Sequence, residues 1–263
     1  MRDQMKTPLT LVYHAKSVGP VCRKLAVGTE LKVLRDTEVI PAEASILRWG
    51  SRWPGKAKVE LNSAEAVGLA RNKKLSRQLL AELSPATWYD RADLQFPCVI
   101  RPRHHHAGQK FFVCQNQTEA LQAIKVCRKG WYASELINKA REFRVFIYQN
   151  YVVAVSERFP ATPEAIAWNL ALGGRLVNLD RKMWPIQILK SALLAAKKLS
   201  LDLAAIDLAE DTTGRVMVFE ANTAPGLRNP YTINQLTRVL ISAAPEPRTK
   251  ETKWKHFLHP ALL

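Results

Sequence analysis

The chain has 263 residues, 47% hydrophobic and 24% charged, enough for one large domain or two to three small ones. No apolar run approaches the ~18 residues of a membrane span, and the opening MRDQMKTPLT lacks the apolar core of a signal peptide. A cytoplasmic location with no membrane partner is therefore expected. Lys and Arg number 39 against 23 Asp and Glu, a net charge of +16, which points to phosphate ligands, acidic peptides or nucleic acid. Cys22, Cys98, Cys114 and Cys127 form no C-x-x-C pair, so the pattern suggests reduced, buried thiols rather than a zinc site or a disulfide framework.

In chain order, residues 9–15 read as a strand, 19–31 as a short helix, and 44–50 as a second strand closed by Gly50. Residues 1–61 thus form a short α/β unit. Residues 62–83 carry Ala66, Leu69, Leu75, Leu79 and Leu80 at near-helical spacing. Asn62 or Ser63 caps this helix, and Glu65 stands early in its first turn. Strand-like runs at 96–102 and 110–114 flank the loop RPRHHHAGQ. A helix over 117–130 follows, with Thr118 as its cap and Gly130 as its stop. Residues 62–130 make the second unit.

Residues 131–137, 141–149 and 151–159 read as strands, the last two joined by a tight turn at Asn150. Residues 161–180 read as irregular, and 184–202 as a helix starting near Pro185. A strand pair with its turn at 210–214 and a last helix over 229–244 complete the third unit, 131–244. Residues 245–263 form a polar, Pro-containing tail.

The strand pair AAIDLAEDTTGRVMVFEAN holds charged residues where burial disfavours them. Side chains alternate, so Glu220 and Asn222 share a face. A hairpin closing at 211–214 brings Asp207 roughly opposite residues 218–220. Two carboxylates so close repel unless a cation sits between them. Asp207, Glu220 and Asn222 are hard oxygen donors of the kind Mg²⁺ takes together with phosphate oxygens. On this segment alone, a metal site and salt bridges to Lys or Arg weigh evenly.

The segment EANTAPGL after an upstream strand bearing Asp207 resembles the ATP-grasp superfamily, in particular ligases similar to the ribosomal-protein glutamate ligases. The resemblance runs from about residue 71 to 228. It implies an α/β (α+β) ATP-grasp fold, two α+β subdomains clasping ATP, preceded by the short N-terminal unit; that short unit is similar to those of small, often phage-encoded members. It implies ATP and Mg²⁺ (or Mn²⁺) as cofactors, with Asp207, Glu220 and Asn222 as the metal ligands. Lys74 in RNKKLSRQLLAE falls on the family's nucleotide-contacting lysine. Arg101 in FPCVIRP stands where a phosphate-contacting lysine is usual. The loop RHHHAGQK takes the place of a glycine-rich phosphate loop, with His106 and Gly108 as its phosphate-side residues.

His104, His105 and His106 are consecutive and cannot all face one ion from a strand. Phosphate contact and exposed loop polarity are the two readings kept for them. WYASELI is similar to the adenine-binding hinge, implying Glu135, Leu136 and Ile137 as hinge residues. Glu142 falls on a ribose-contacting acid, and Arg144 on an arginine facing phosphate or substrate. Asn169 in WNLALGGR matches a substrate-loop asparagine. Leu172 stands where the relatives carry a basic residue, and Arg175 is positioned to replace it.

The resemblance implies a carboxylate–amine ligase working through an acylphosphate. The acceptor would be an amino acid, peptide or protein. A phosphotransferase, or a weakened nucleotide- or nucleic-acid-binding module, is the alternative.

Overall fold

The computed structural model describes residues 8–14, 21–103, 110–127 and 130–242. His104–His106 and Gly108 lie outside the described residues, as does the expected tail.

The first sheet is parallel, in the order β2-β1-β3-β4, from β1 (Leu9–Tyr13), β2 (Lys32–Arg35), β3 (Ser45–Trp49) and β4 (Val59–Leu61). β1 and β3 are buried along their whole length, which is why they read as continuous runs. The helix expected over 19–31 shrinks to α1 (Arg23–Ala26). Val27 is already extended and Gly28 has φ +69°, so the chain turns off and supplies β2. β2 has no buried residue and β4 has three residues in all, so neither announced itself by alternation.

The single helix expected over 62–83 is two, α2 (Ala64–Arg71) and α3 (Lys73–Leu79). Asn72 between them is extended, and its side chain accepts from the Leu75 N–H. It stops one helix and caps the next. Ser63 caps α2 by accepting from the Ala66 N–H. Asn62 has a different task. Its amide accepts from the backbone N–H groups of Asp202 and Leu203 and donates to the Leu203 carbonyl, tying the start of α2 to a distant strand.

The second sheet is antiparallel, in the order β5-β8-β6-β7, from β5 (Thr87–Trp88), β6 (Cys98–Pro102), β7 (Phe112–Cys114) and β8 (Trp131–Glu135). A unit boundary before residue 131 would cut it, because Trp131–Glu135 pairs with Cys98–Pro102. α4 (Gln117–Val126) covers one face through Ala120, Ala123 and Ile124. Its cap is Asn116, not Thr118. Asn116 accepts from the Glu119 N–H, and the Glu119 carboxylate reaches back to the Gln115 N–H. All four cysteines are free and buried.

The third sheet is antiparallel, in the order β11-β10-β9-β12-β13. Its strands are β9 (Lys139–Tyr148), β10 (Tyr151–Phe159), β11 (Arg175–Asn178), β12 (Leu203–Asp211) and β13 (Val216–Asn222). β11 falls in the stretch expected to be irregular. Gln149 and Asn150 both have positive φ, the two-residue turn that matches strand twist. α5 (Ile186–Lys198) packs Ile188, Leu189, Ala192 and Leu193 against Phe143, Val145 and Ile147 on one face. On the other face Phe146, Tyr148, Leu203 and Ala205 meet the first sheet and α6 (Pro230–Ser242).

Alternation along β9 puts Glu142 and Arg144 on the same face as Phe146 and Tyr148. That face is covered at one end and open at the other. The charged residues occupy the open end, where they line a cleft. No helix among the described residues is long and apolar enough to cross a membrane.

Candidate active site

Strand register builds the site. Arg144 of β9 stands beside Asp207 of β12, and Asp207 stands beside Glu220 of β13. A bulge follows at once, between Asp207 and Leu208. Arg144 Nε and Nη2 donate to the two oxygens of Asp207, each at 2.7 Å. Such a fork is the stronger form of charge-assisted hydrogen bond. Arg158 of β10 is in register with Glu142 and donates to Glu142 Oε1; its Nη2 lies 3.4 Å from Asp207 Oδ1. Lys139 Nζ takes the other Glu142 oxygen at 2.5 Å. At the far edge of the sheet Lys73 Nζ is 3.2 Å from Glu220 Oε2, and Asn222 Nδ2 donates to Glu220 Oε1 at 2.8 Å.

These neighbours set the protonation of the row. Lys73 holds the Glu220 carboxyl far below the usual carboxylate range, against the opposing effect of burial. Burial pulls the Arg144 guanidinium down, but the charge and hydrogen bonds of Asp207 outweigh it and leave the group above its ordinary value. Burial lowers the Lys139 ammonium, with Glu142 opposing.

The salt bridges that the sequence left open are therefore present. The oxygen donors are of the type magnesium takes, although both Asp207 oxygens already accept from Arg144. Glu220 is held ionised, and Asn222 spends its nitrogen on Glu220, which leaves its oxygen as the acceptor. No group of three His, Cys, Asp or Glu side chains among the described residues could hold a metal. An ion here would be completed by oxygens from phosphate or water, as Mg²⁺ prefers.

The cleft encloses about 1310 Å³ between the second and third sheets, closed at one end by the first. That exceeds the roughly 300–1,000 Å³ of a single small-molecule pocket. Ten Lys and Arg and four Asp and Glu line it among the described residues, so part of the chain's excess positive charge gathers here.

Arg101 lines the cleft from β6, beside Tyr132 of β8. Glu135, Leu136 and Ile137 line it at the end of β8. The Glu135 carboxylate takes Arg215 Nη2 at 2.7 Å to each oxygen and the Ala86 N–H at 3.3 Å. That bond joins the second sheet to the turn of the β12–β13 hairpin. Asn169 lines the cleft, and its carbonyl accepts from the N–H groups of Leu172 and Gly174. A side chain on Gly174 would meet the Trp168 carbonyl at 2.6 Å, so the loop requires glycine there. Glu142 lines the cleft too, but both its oxygens are already engaged by Lys139 and Arg158.

Two expected residues are placed elsewhere. Lys74 stands 5.1 Å over the Tyr89 ring and is not among the cleft-lining residues; Lys73, one position earlier, is. The break at Asn72 resets the helix phase, and each residue turns the side chain by about 100°. Arg175 lies over the Phe159 ring at 5.3 Å, and its neighbour Leu176 faces the cleft instead. Arg158, Lys139 and Arg77 were missed. For Arg158 a signal existed: once the turn at Asn150 fixes the hairpin, Arg158 falls opposite Glu142.

Residues 69–241 match the model of the RimK-like ATP-grasp domain. A probable alpha-L-glutamate ligase of Histophilus somni (strain 2336) is 28% identical over 184 residues, covering 64% of this chain and 60% of that protein. A second, from Haemophilus ducreyi, is 28% identical over 189 residues, covering 65% and 60%. The chain thus spans 60% of the length of these curated relatives. Among solved structures, the VanG D-Ala:D-Ser ligase of Enterococcus faecalis superposes with a TM-score of 0.66 at 12% identity, over 89% of this chain and 97% of that one. The ATP-grasp ligase PsnB, complexed with a phosphomimetic variant of its minimal precursor, Mg and ADP, gives 0.65 at 13%, over 90% and 98%. These structures share the fold. With the matched domain covering most of the chain, the chain belongs to the RimK-like ATP-grasp family.

Proposed function

We propose that the chain is an ATP- and Mg²⁺-dependent ligase that joins a carboxylate to an amine through an acylphosphate. The observation that carries this reading is the ordered row Arg144–Asp207–Glu220–Lys73, with Asn222, at the open end of the third sheet. A carboxylate oxygen attacks the γ-phosphorus, and ADP leaves. The amine nitrogen then attacks the acyl carbon, phosphate leaves, and the nitrogen loses a proton. Two negative groups must meet in the first step. Asp207, Glu220 and Asn222 would hold a magnesium or manganese ion, which would supply positive charge against that repulsion.

The chain's own cations do the rest. Arg144 and Arg158 hold the Asp207 carboxylate in place, Arg144 by its fork and Arg158 at 3.4 Å. Lys73 and Arg101 place positive charge along the cleft where the transferring phosphoryl develops negative charge. Glu135, Leu136 and Ile137 form the hinge edge for a base. The cleft volume leaves room beyond a nucleotide, next to Trp168, Asn169, Leu176 and Arg228. PsnB was solved with a precursor peptide, which supports a peptide as the substrate of this chain.

The test is carboxylate-dependent phosphate release from Mg·ATP with hydroxylamine as the amine. A hydroxamate should appear in step with the phosphate. Glu220→Ala should lower the rate at least ~100-fold, with its circular dichroism unchanged. Absence of nucleotide binding would sink the reading. A stable phosphorylated product without phosphate release would replace it with phosphotransfer.

A further inference from the structure

Arg77 lies on α3, four residues after Lys73 and so on the same side of the helix. Its side chain lines the cleft, yet the residue is only 8% exposed. Its Nη1 is buried and makes no hydrogen bond among the described residues. The other buried arginines of the site each hold a carboxylate: Arg144 is forked on Asp207, and Arg158 is bonded to Glu142, although its Nε, like Arg77 Nη1, makes no hydrogen bond among the described residues.

The groups whose charge Arg77 feels are Tyr132, Arg101, Glu220 and Tyr89. Glu220 is already held by Lys73 and Asn222. Arg101 is a like charge. Burial pushes the Arg77 guanidinium below its ordinary value. Folding alone gains nothing from this arrangement, because a buried cation without its own counter-charge is costly and a leucine would fill the space at no such cost. A cleft-lining guanidinium whose Nη1 has no partner among the described residues suits an anion. The planar guanidinium fork matches phosphate oxygens.

We propose that Arg77 is a nucleotide-binding residue, donating to an oxygen of the ATP polyphosphate from the α3 side of the cleft. This rests on the nucleotide reading above. The ligand supplies the counter-charge that the fold withholds.

The experiment compares wild type with Arg77→Leu and Arg77→Lys, using calorimetric titration with Mg²⁺ and a non-hydrolysable ATP analogue, titration with adenosine, and thermal unfolding without ligand. Arg77→Leu should weaken the triphosphate about 10- to 100-fold, as for a lost hydrogen bond to a charged group. Adenosine binding should be unchanged within about two-fold, and the unliganded melting temperature should be equal or higher. Arg77→Lys should fall between the two in triphosphate affinity. Unchanged triphosphate binding by Arg77→Leu overturns the proposal. So does an equal loss of triphosphate and adenosine with a lower melting temperature, which marks a structural arginine. If the wild type binds no nucleotide, the wider reading fails along with this one.

Discussion

Two walls of the cleft treat charge differently. On the third sheet each acid of the site has a cation: Asp207 has Arg144, Glu142 has Lys139 and Arg158, and Glu220 has Lys73 from the neighbouring helix. On the opposite wall, α3 and the second sheet present Arg77, Arg101 and Arg103, and the one carboxylate lining that sheet among the described residues is Glu135 at the hinge. The first wall is complete once Lys73 reaches it from α3. Its side chains are held by one another before any ligand arrives, which is the preorganisation that electrostatic catalysis requires. The second presents more cations than carboxylates to the cleft among the described residues. On the proposed function, the phosphates of a nucleotide would meet the more positive wall.

The comparison breaks most visibly at Arg144. Arg144→Ala removes a fork from a carboxylate residue that is 4% exposed, leaving only Arg158 at 3.4 Å. Unfolding in urea at pH 7 should show a loss of about 3–5 kcal/mol, the usual cost of stranding one member of a buried pair. Replacing both partners, Arg144→Met with Asp207→Leu, should recover part of it, since no carboxylate is then stranded. A loss under about 1 kcal/mol for Arg144→Ala would mean that the first wall does not depend on its internal pairing.

A smaller effect separates the adjacent lysines. Lys73→Met should weaken Mg·ATP binding about 10-fold by removing one charge-assisted contact. Lys74→Met, which disturbs only the Tyr89 face, should leave it within about two-fold. Equal losses would assign nucleotide binding to the helix as a whole rather than to one position.

The β12–β13 hairpin was legible in the sequence because alternation is a strict rule along a strand. Asp207, Glu220 and Asn222 could be put on one face with no knowledge of the rest. The turn at Asn150 was legible for a similar reason, but Arg158, which that turn sets opposite Glu142, was missed. Helix phase was harder. Nothing in NKKLSRQLL marks Asn72 as a double cap rather than one polar residue on a continuous helix, and a single break sufficed to exchange Lys74 for Lys73. Short parallel strands such as β2 and β4 lack both alternation and a turn signal. Arg77 was invisible in principle. A cation within a helix reads as a solvated face until the packing shows it buried.

The smallest expected effect concerns pH. Lys73 first, and then Asn222, Arg144 and Arg101, depress the folded-state value of Glu220. An unfolded glutamate titrates near ~4.3. Below that point the unfolded chain binds a proton that the folded chain refuses, so stability falls as pH falls. The stabilisation is complete above about pH 5 and is lost as acid approaches the depressed folded value. Glu220→Gln removes this dependence. The wild type should therefore exceed Glu220→Gln in unfolding free energy by on the order of 1 kcal/mol near neutral pH, and the gap should close steadily below about pH 4. Glu82→Gln is the control, because Glu82 pairs with Lys198 on the surface, with 81% of its side chain exposed, where such pairs contribute little. Denaturant unfolding from pH 7 to pH 3 decides the matter. A flat difference would mean that Glu220 titrates as a solvent-exposed carboxylate does, and that the compensated wall is compensated in geometry but not in energy.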